Sequence, residues 1–226
     1  MGYNLITVNA GHSAKAPGAG ANGYKEHEMA RKVKDKVIAA LKKVGVRTVD
    51  TTSDADTQNA VLGEQVRKCN AQPRNGRLDV SSHFNSGGGT GSEVLYYDQK
   101  ALAEKVAKAV SEAAGLTNRG AKERKDLYFL RKTNAPAILI EVGFIDNKSD
   151  MAKINTKMDA IANAIVKALT GKTVPTQSTS RSQSTSKSKS DGLYKVQTGA
   201  FKSKENAEEL VRKLKSKGFD AHIVKE

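Results

Sequence analysis

The sequence predicts an α/β fold: a twisted, mostly parallel central sheet covered by helices, plus a small C-terminal βαβ module. Three observations carry this. Short apolar runs of strand length alternate with amphipathic helical stretches over the first 170 residues. One of those runs, PAILIEVGF at 136–144, is almost continuously apolar, the pattern of a strand buried on both faces. Beyond residue 170 the composition turns abruptly to Ser, Thr, Gln and Lys before patterned sequence resumes. The expected organisation is a main domain at 1–170, a flexible Ser/Thr/Lys-rich linker at 171–191 and a small module at 192–226.

The first apolar run, residues 3–8, ends at Asn9, and Gly11-His12 then opens a loop carrying Gly18, Gly20 and Gly23. Glycine lets the backbone turn back without a Cβ penalty, so side chains on either side of such a loop can converge. Met29, Val33, Val37, Leu41 and Val44 recur at spacings of four and three, which predicts a helix over 26–44 ended by Gly45. A short strand at 46–49, a polar turn at 51–57 and a helix at 58–71 follow, the last closed by Pro73, Asn75 and Gly76. The next strand, 78–82, runs into His83-Phe84-Asn85, and a second glycine loop, SGGGTG at 86–91, precedes a strand at 93–97.

Leu102, Val106, Ala109, Val110 and Ala113 mark a third helix, 119–126 reads as a charged connection, and 127–130 as a strand. After PAILIEVGF come a polar turn at 146–150 and a last helix bearing Met151, Ile154, Met158, Ile161, Ile165 and Leu169. In the tail, 193–201 alternates like a strand, Asn206, Leu210, Leu214 and Lys217 keep a helical period, and 221–224 alternates again. A lone βαβ layer leaves one sheet face and both edges uncovered, so the tail is expected to self-associate into a homodimer.

Lys and Arg number 38 against 24 Asp and Glu, a net charge of +14, so the chain should be drawn to a polyanion. Only 5% of residues are aromatic and none is Trp, which leaves base-stacking platforms unsupported and nucleic acid an unexpected partner. No apolar run reaches the length of a membrane span, and no basic segment followed by an apolar one precedes the first strand. Synthesis in the cytoplasm without a signal peptide, and no membrane insertion, are expected. The single cysteine, Cys69, rules out an intramolecular disulfide and a cysteine-rich zinc site, and its helical context predicts a place in the core.

Of the four histidines, His12 and His83 fall at predicted carboxyl ends of strands, each followed by a glycine loop, where open α/β sheets place their sites. With Glu26 they supply two imidazoles and a carboxylate, a set suited to catalytic zinc with an open fourth position. His27 is the neighbouring alternative, and His222 stands alone in the tail. Glu141 interrupts the apolar strand, where a buried carboxylate is costly without a partner, and is the candidate general base. Taken singly, each has a bland reading as a core or surface side chain; the joint pattern is what points to a metal.

Asn9-Ala10-Gly11-His12, Gly23-Tyr24-Lys25-Glu26, Ser81-Ser82-His83-Phe84-Asn85 with its glycine loop, Arg119-Gly120 and PAILIEVGFIDN follow one another over residues 3–169. In that order they resemble the zinc-dependent N-acetylmuramoyl-L-alanine amidases, a family that includes bacterial autolysins and phage endolysins. The resemblance implies Zn2+ held by His12, Glu26 and His83, Glu141 as the catalytic carboxylate, and Asn85 as an aid to substrate positioning. The substrate it implies is peptidoglycan, cut at the amide between N-acetylmuramic acid and L-alanine. Asn9-Ala10 stands where the family often has Asp-Pro, which bears on the support of His12 rather than on the ligand itself.

The tail, GLYKVQTGAF followed by a helix and GFDAHIVKE, is similar to half of the sporulation-related repeats that bind cell-wall glycan. The charge then fits anionic wall polymers as further partners. The biological occasion expected is a phage or prophage endolysin reaching the wall after release by a holin or lysis, with a sporulation mother-cell autolysin as the alternative. A non-catalytic wall-binding protein, a basic nucleic-acid binder and another zinc hydrolase are the competing readings.

Overall fold

The computed structural model describes residues 2–175, 201, 203–219 and 221–223. The chain divides into two compact units, Met1–Thr179 and Ser180–Glu226. In the first, β1 (Leu5–Ala10) is buried along its whole length. It pairs in parallel with β4 (Arg47–Asp50) on one side and β5 (Arg77–Asn85) on the other. β5 pairs in parallel with β8 (Ala137–Phe144), which in turn lies antiparallel to β6 (Ser92–Tyr96). β6 pairs in parallel with β7 (Asn118–Glu123), giving a six-stranded sheet of order β4-β1-β5-β8-β6-β7. The mostly parallel sheet is as expected.

The two faces of this sheet are unlike. Ile138, Ile140, Val94 and Tyr96 point into a large apolar core shared with α1 (Glu26–Lys43), α3 (Lys100–Ala114) and α5 (Lys148–Thr170). Their strand neighbours Leu139, Leu95 and Ala137 face the other way, into a small cluster with Val66 and Cys69 of α2 (Gln58–Asn70) and with Phe129 and Leu130. Period-two alternation therefore places Thr7, Asp79, Ser81, His83, Glu93 and Glu141 on the thinly covered face with that small cluster, since residues in register share a face. Their polar groups pair with one another: Thr7 donates to Asp79 at 2.7 Å, and Ser81 donates to Asn9 at 2.7 Å.

Several expectations are corrected. The segment expected as a strand at 127–130 is a short helix, α4 (Tyr128–Lys132). Phe129 and Leu130 are consecutive and both buried, which a helical turn permits and strand alternation does not. The charged connection expected at 119–126 contains β7, an edge strand whose exposed charges blunt its free side. A hairpin of β2 (Gly20–Ala21) and β3 (Tyr24–Lys25) lies within the first glycine loop. The linker expected from residue 171 begins with ordered packing: Val174 joins the main core and Lys172 donates to the carbonyl of Val44.

In the second unit, α6 (Lys204–Ser216) starts at Ser203, whose hydroxyl accepts from the backbone of Asn206, and none of its residues is buried. The strand expected at 193–201 lies outside the described residues except for Phe201, which is in no regular element. Residues 221–223, the described part of the strand expected at 221–224, are also irregular. A strand needs a partner ladder, and none lies beside them among the described residues.

Candidate functional site

The carboxyl edge of β1, β5 and β8 gathers the chemistry. His12 follows β1, Glu26 opens α1, and His83 lies near the end of β5; one ligand atom from each lies within 4.8 Å of the others. His12 Nε2 stands 3.3 Å from Glu26 Oε1, and His83 Nδ1 stands 3.1 Å from the same oxygen. Donors bonded at ordinary lengths around one tetrahedral zinc are about 3.3 Å apart, a spacing that these two contacts match. Nδ1 of His12 is 2.9 Å from the side-chain oxygen of Gln58. An amide oxygen only accepts, so Nδ1 carries a proton and Nε2 is the nitrogen turned to the site.

Glu26 is 4% exposed and held on both oxygens, Oε2 accepting from Ala19 N at 2.9 Å and Oε1 from Phe84 N at 3.1 Å. Burial alone would raise its pKa, but hydrogen bonds and charge from His12 and His83 pull it well below the usual carboxylate range. His12 is raised for the reciprocal reason: the bond and charge of Glu26, with Gln58, outweigh the burial that would lower it. These contacts occupy the positions that metal bonds would take. Room for them depends on two glycines. A Cβ on Gly11 would fall inside the His83 ring, and one on Gly18, which has φ +71°, would strike Glu26 and His12.

Glu141 sits beside this set. β5 and β8 put it in register with His83, and β8 and β6 put it in register with Glu93, so the three side chains form one row across the sheet. The residue is partly exposed, yet its Oε2 is buried without a hydrogen-bond partner. Burial, reinforced by the carboxylates of Glu26 and Glu93, pushes its pKa up to about 8. An unpartnered carboxyl oxygen next to a three-donor cluster is the environment of a proton carrier with a cation and water as neighbours.

Asn85 reaches the same row by donating Nδ2 to Glu93 Oε1 at 3.0 Å. Of the residues expected at the site, the structure brings His12, Glu26, His83, Glu141 and Asn85 together. His27 is buried and not part of the three-donor group, with Nδ1 unpartnered. Two residues of the site were missed, Gln58 and Glu93, and Arg119, singled out only as part of a motif, was given no role; it donates Nε to Glu93 Oε2 at 2.8 Å. Glu93 carried a signal comparable to that of Glu141, a carboxylate opening an apolar strand. Gln58 carried none, because its role follows from where α2 begins.

The profile of the N-acetylmuramoyl-L-alanine amidase family matches residues 6–171. The chain belongs to this family. A second profile, that of the SPOR domain, matches residues 160–226 and so begins within α5. The amidase is 31% identical over 229 residues to the sporulation-specific N-acetylmuramoyl-L-alanine amidase of Bacillus subtilis (strain 168), covering 97% of this chain and 84% of that protein. It is 34% identical over 175 residues to the endolysin of Bacillus phage SPP1, covering 72% of this chain and 62% of the endolysin.

Among solved structures, the catalytic domain of the CD27L endolysin targeting Clostridia Difficile superposes with a TM-score of 0.69 at 27% identity, over 76% of this amidase and 100% of that chain. AmiC2 of Nostoc punctiforme superposes with a TM-score of 0.64 at 30% identity, over 73% of this amidase and 94% of that chain. Among the described residues no helix is long and apolar enough to cross a membrane.

Proposed function

We propose that this peptidoglycan amidase hydrolyses the amide between N-acetylmuramic acid and L-alanine with zinc held by His12 Nε2, Glu26 and His83 Nδ1. The observation that carries the proposal is the unpartnered Oε2 of Glu141 beside three converging donors. Zinc in such a site supplies positive charge that polarises a carbonyl and acidifies water. Glu141 then acts twice. Its carboxylate takes a proton from the attacking water, and it returns that proton to the alanine nitrogen, which leaves as a neutral amine. Gln58 fixes the His12 tautomer, while Ala19 and Phe84 fix the Glu26 carboxylate, so the donor set is oriented before substrate arrives.

Digestion of purified peptidoglycan by wild type and Glu141→Gln, with and without a chelator, tests this reading. Stem peptides beginning at L-alanine, identified by mass spectrometry and lost on chelation or substitution, are expected. Intact walls after treatment with zinc-loaded wild type would instead favour a wall-binding protein that has kept the fold.

The residues from 192 onward are proposed as a wall-binding module that pairs between chains, with anionic wall polymers attracting the net charge of +14. A monomeric sedimentation profile at micromolar concentration would remove the pairing. For the biological occasion, an endolysin released by a holin is the first reading. A mother-cell autolysin is favoured by one observation: the match to the sporulation-specific amidase spans 97% of this chain, tail included, against 72% for the phage endolysin.

A further inference from the structure

Arg119 stands at the lip of the site with only its Nε engaged among the described residues. Its Nε donates to Glu93 Oε2 at 2.8 Å, and its Cζ lies 5.0 Å from the centre of the Phe144 ring. Glu93 is itself steadied by Asn85, so guanidinium, carboxylate and amide form one unit next to Glu141. The second glycine loop makes room for that unit. A Cβ on Gly89 would enter the Phe144 ring, and one on Gly91 would meet Thr117 O and come within 3.2 Å of Arg119 Cγ.

Among the described residues, neither terminal nitrogen of Arg119 has a partner, and the side chain is 39% exposed. The nearby Arg124 differs, because Asp126 engages it at both Nε and Nη2, at 2.9 and 2.8 Å. The other charged side chains grouped here, the buried Glu26 and Glu93 and the partly exposed Glu141, are all acidic and offer an anionic ligand no cationic partner. A guanidinium held on its Nε edge and stacked on an aromatic face presents its remaining fork in a fixed plane, the geometry that accepts a carboxylate through two bonds.

We propose that Arg119 is a specificity-determining residue that binds a free carboxylate of the stem peptide on the leaving-group side of the scissile amide. This rests on the amidase reading above. Chemistry selects the side: the muramyl acyl group carries no ionised group, whereas the peptide leaving with the amine carries carboxyls that are either free or amidated. Arg119 thereby discriminates between the two forms, and Glu93 is the positioning residue that holds it.

The test uses two synthetic N-acetylmuramoyl peptides that differ only in whether the carboxyl of the residue after L-alanine is free or amidated. The zinc-loaded full chain is expected to favour the free acid by about tenfold or more in kcat/KM, the worth of a charged hydrogen-bond pair. Arg119→Gln should bring that ratio close to one, chiefly through KM, and Arg119→Lys should restore part of it by returning charge without the fork. Equal rates of wild type on both substrates, or an unchanged ratio in Arg119→Gln, would overturn the assignment. The wild-type ratio needs no variant, so it decides even where a substitution prevents folding. Cleavage of neither substrate would fell the amidase reading as well, whereas cleavage of both at one rate would remove only this inference.

Discussion

Ionising Glu141 without a cation beside it sets a buried oxygen next to the carboxylates of Glu26 and Glu93. Its folded pKa of about 8 lies above the ordinary value for a glutamate, about 4.3. Between those values the folded chain holds a proton that the unfolded chain has released, so stability falls as pH rises through that window. Glu141→Gln removes this loss. The melting temperature of the chelated variant should therefore gain on chelated wild type between pH 5 and pH 8; a constant gap would mean that Glu141 titrates as an ordinary carboxylate. The same variant should lose about a hundredfold or more in hydrolysis, measured as released L-alanine termini. The sequence exposed this residue because a charge in PAILIEVGF conflicts with its surroundings. It could not expose Glu93 as a partner, because that depends on β6 running antiparallel against β8.

The two glycine loops do different work at the scale of elements. In the first, Gly11 gives the His83 ring its place, so Gly11→Ala should displace one of the three proposed zinc ligands while leaving the core untouched. Zinc affinity, read by competition with a chelating dye, should weaken at least tenfold with little change in the melting temperature of the metal-free protein. In the second loop, Asp150 of α5 accepts from Gly91 N at 2.8 Å, Phe144 N at 3.2 Å and the Thr90 hydroxyl at 2.7 Å. Asp150→Ala leaves buried donors unsatisfied and should cost about 2–4 kcal/mol in denaturant unfolding; a cost near zero would show that the loop satisfies itself. Most elements were legible from periodicity, since the long helices carry clean apolar stripes. The exceptions have physical causes. α4 is too short to show a period, and β7 is an edge strand whose exposed residues look like a loop.

For the whole molecule, Met1–Thr179 contains both apolar clusters and every site residue named above. A chain ending at Thr179 should melt within a few degrees of the full protein and cleave soluble muramyl peptides at a similar rate. Its retention on isolated walls should fall, which a pelleting assay at low and high salt would measure. A large drop in melting temperature would instead show that the tail supports the catalytic unit. β8 comes last of the six strands in sequence, yet it lies between β5 and β6. Until the ribosome has delivered residues 137–144, those two strands have no neighbour between them and Glu141 is not beside His83. A chain terminated before residue 137 thus lacks both the strand that joins β5 to β6 and Glu141 itself, and competence arrives only when the final strand is inserted.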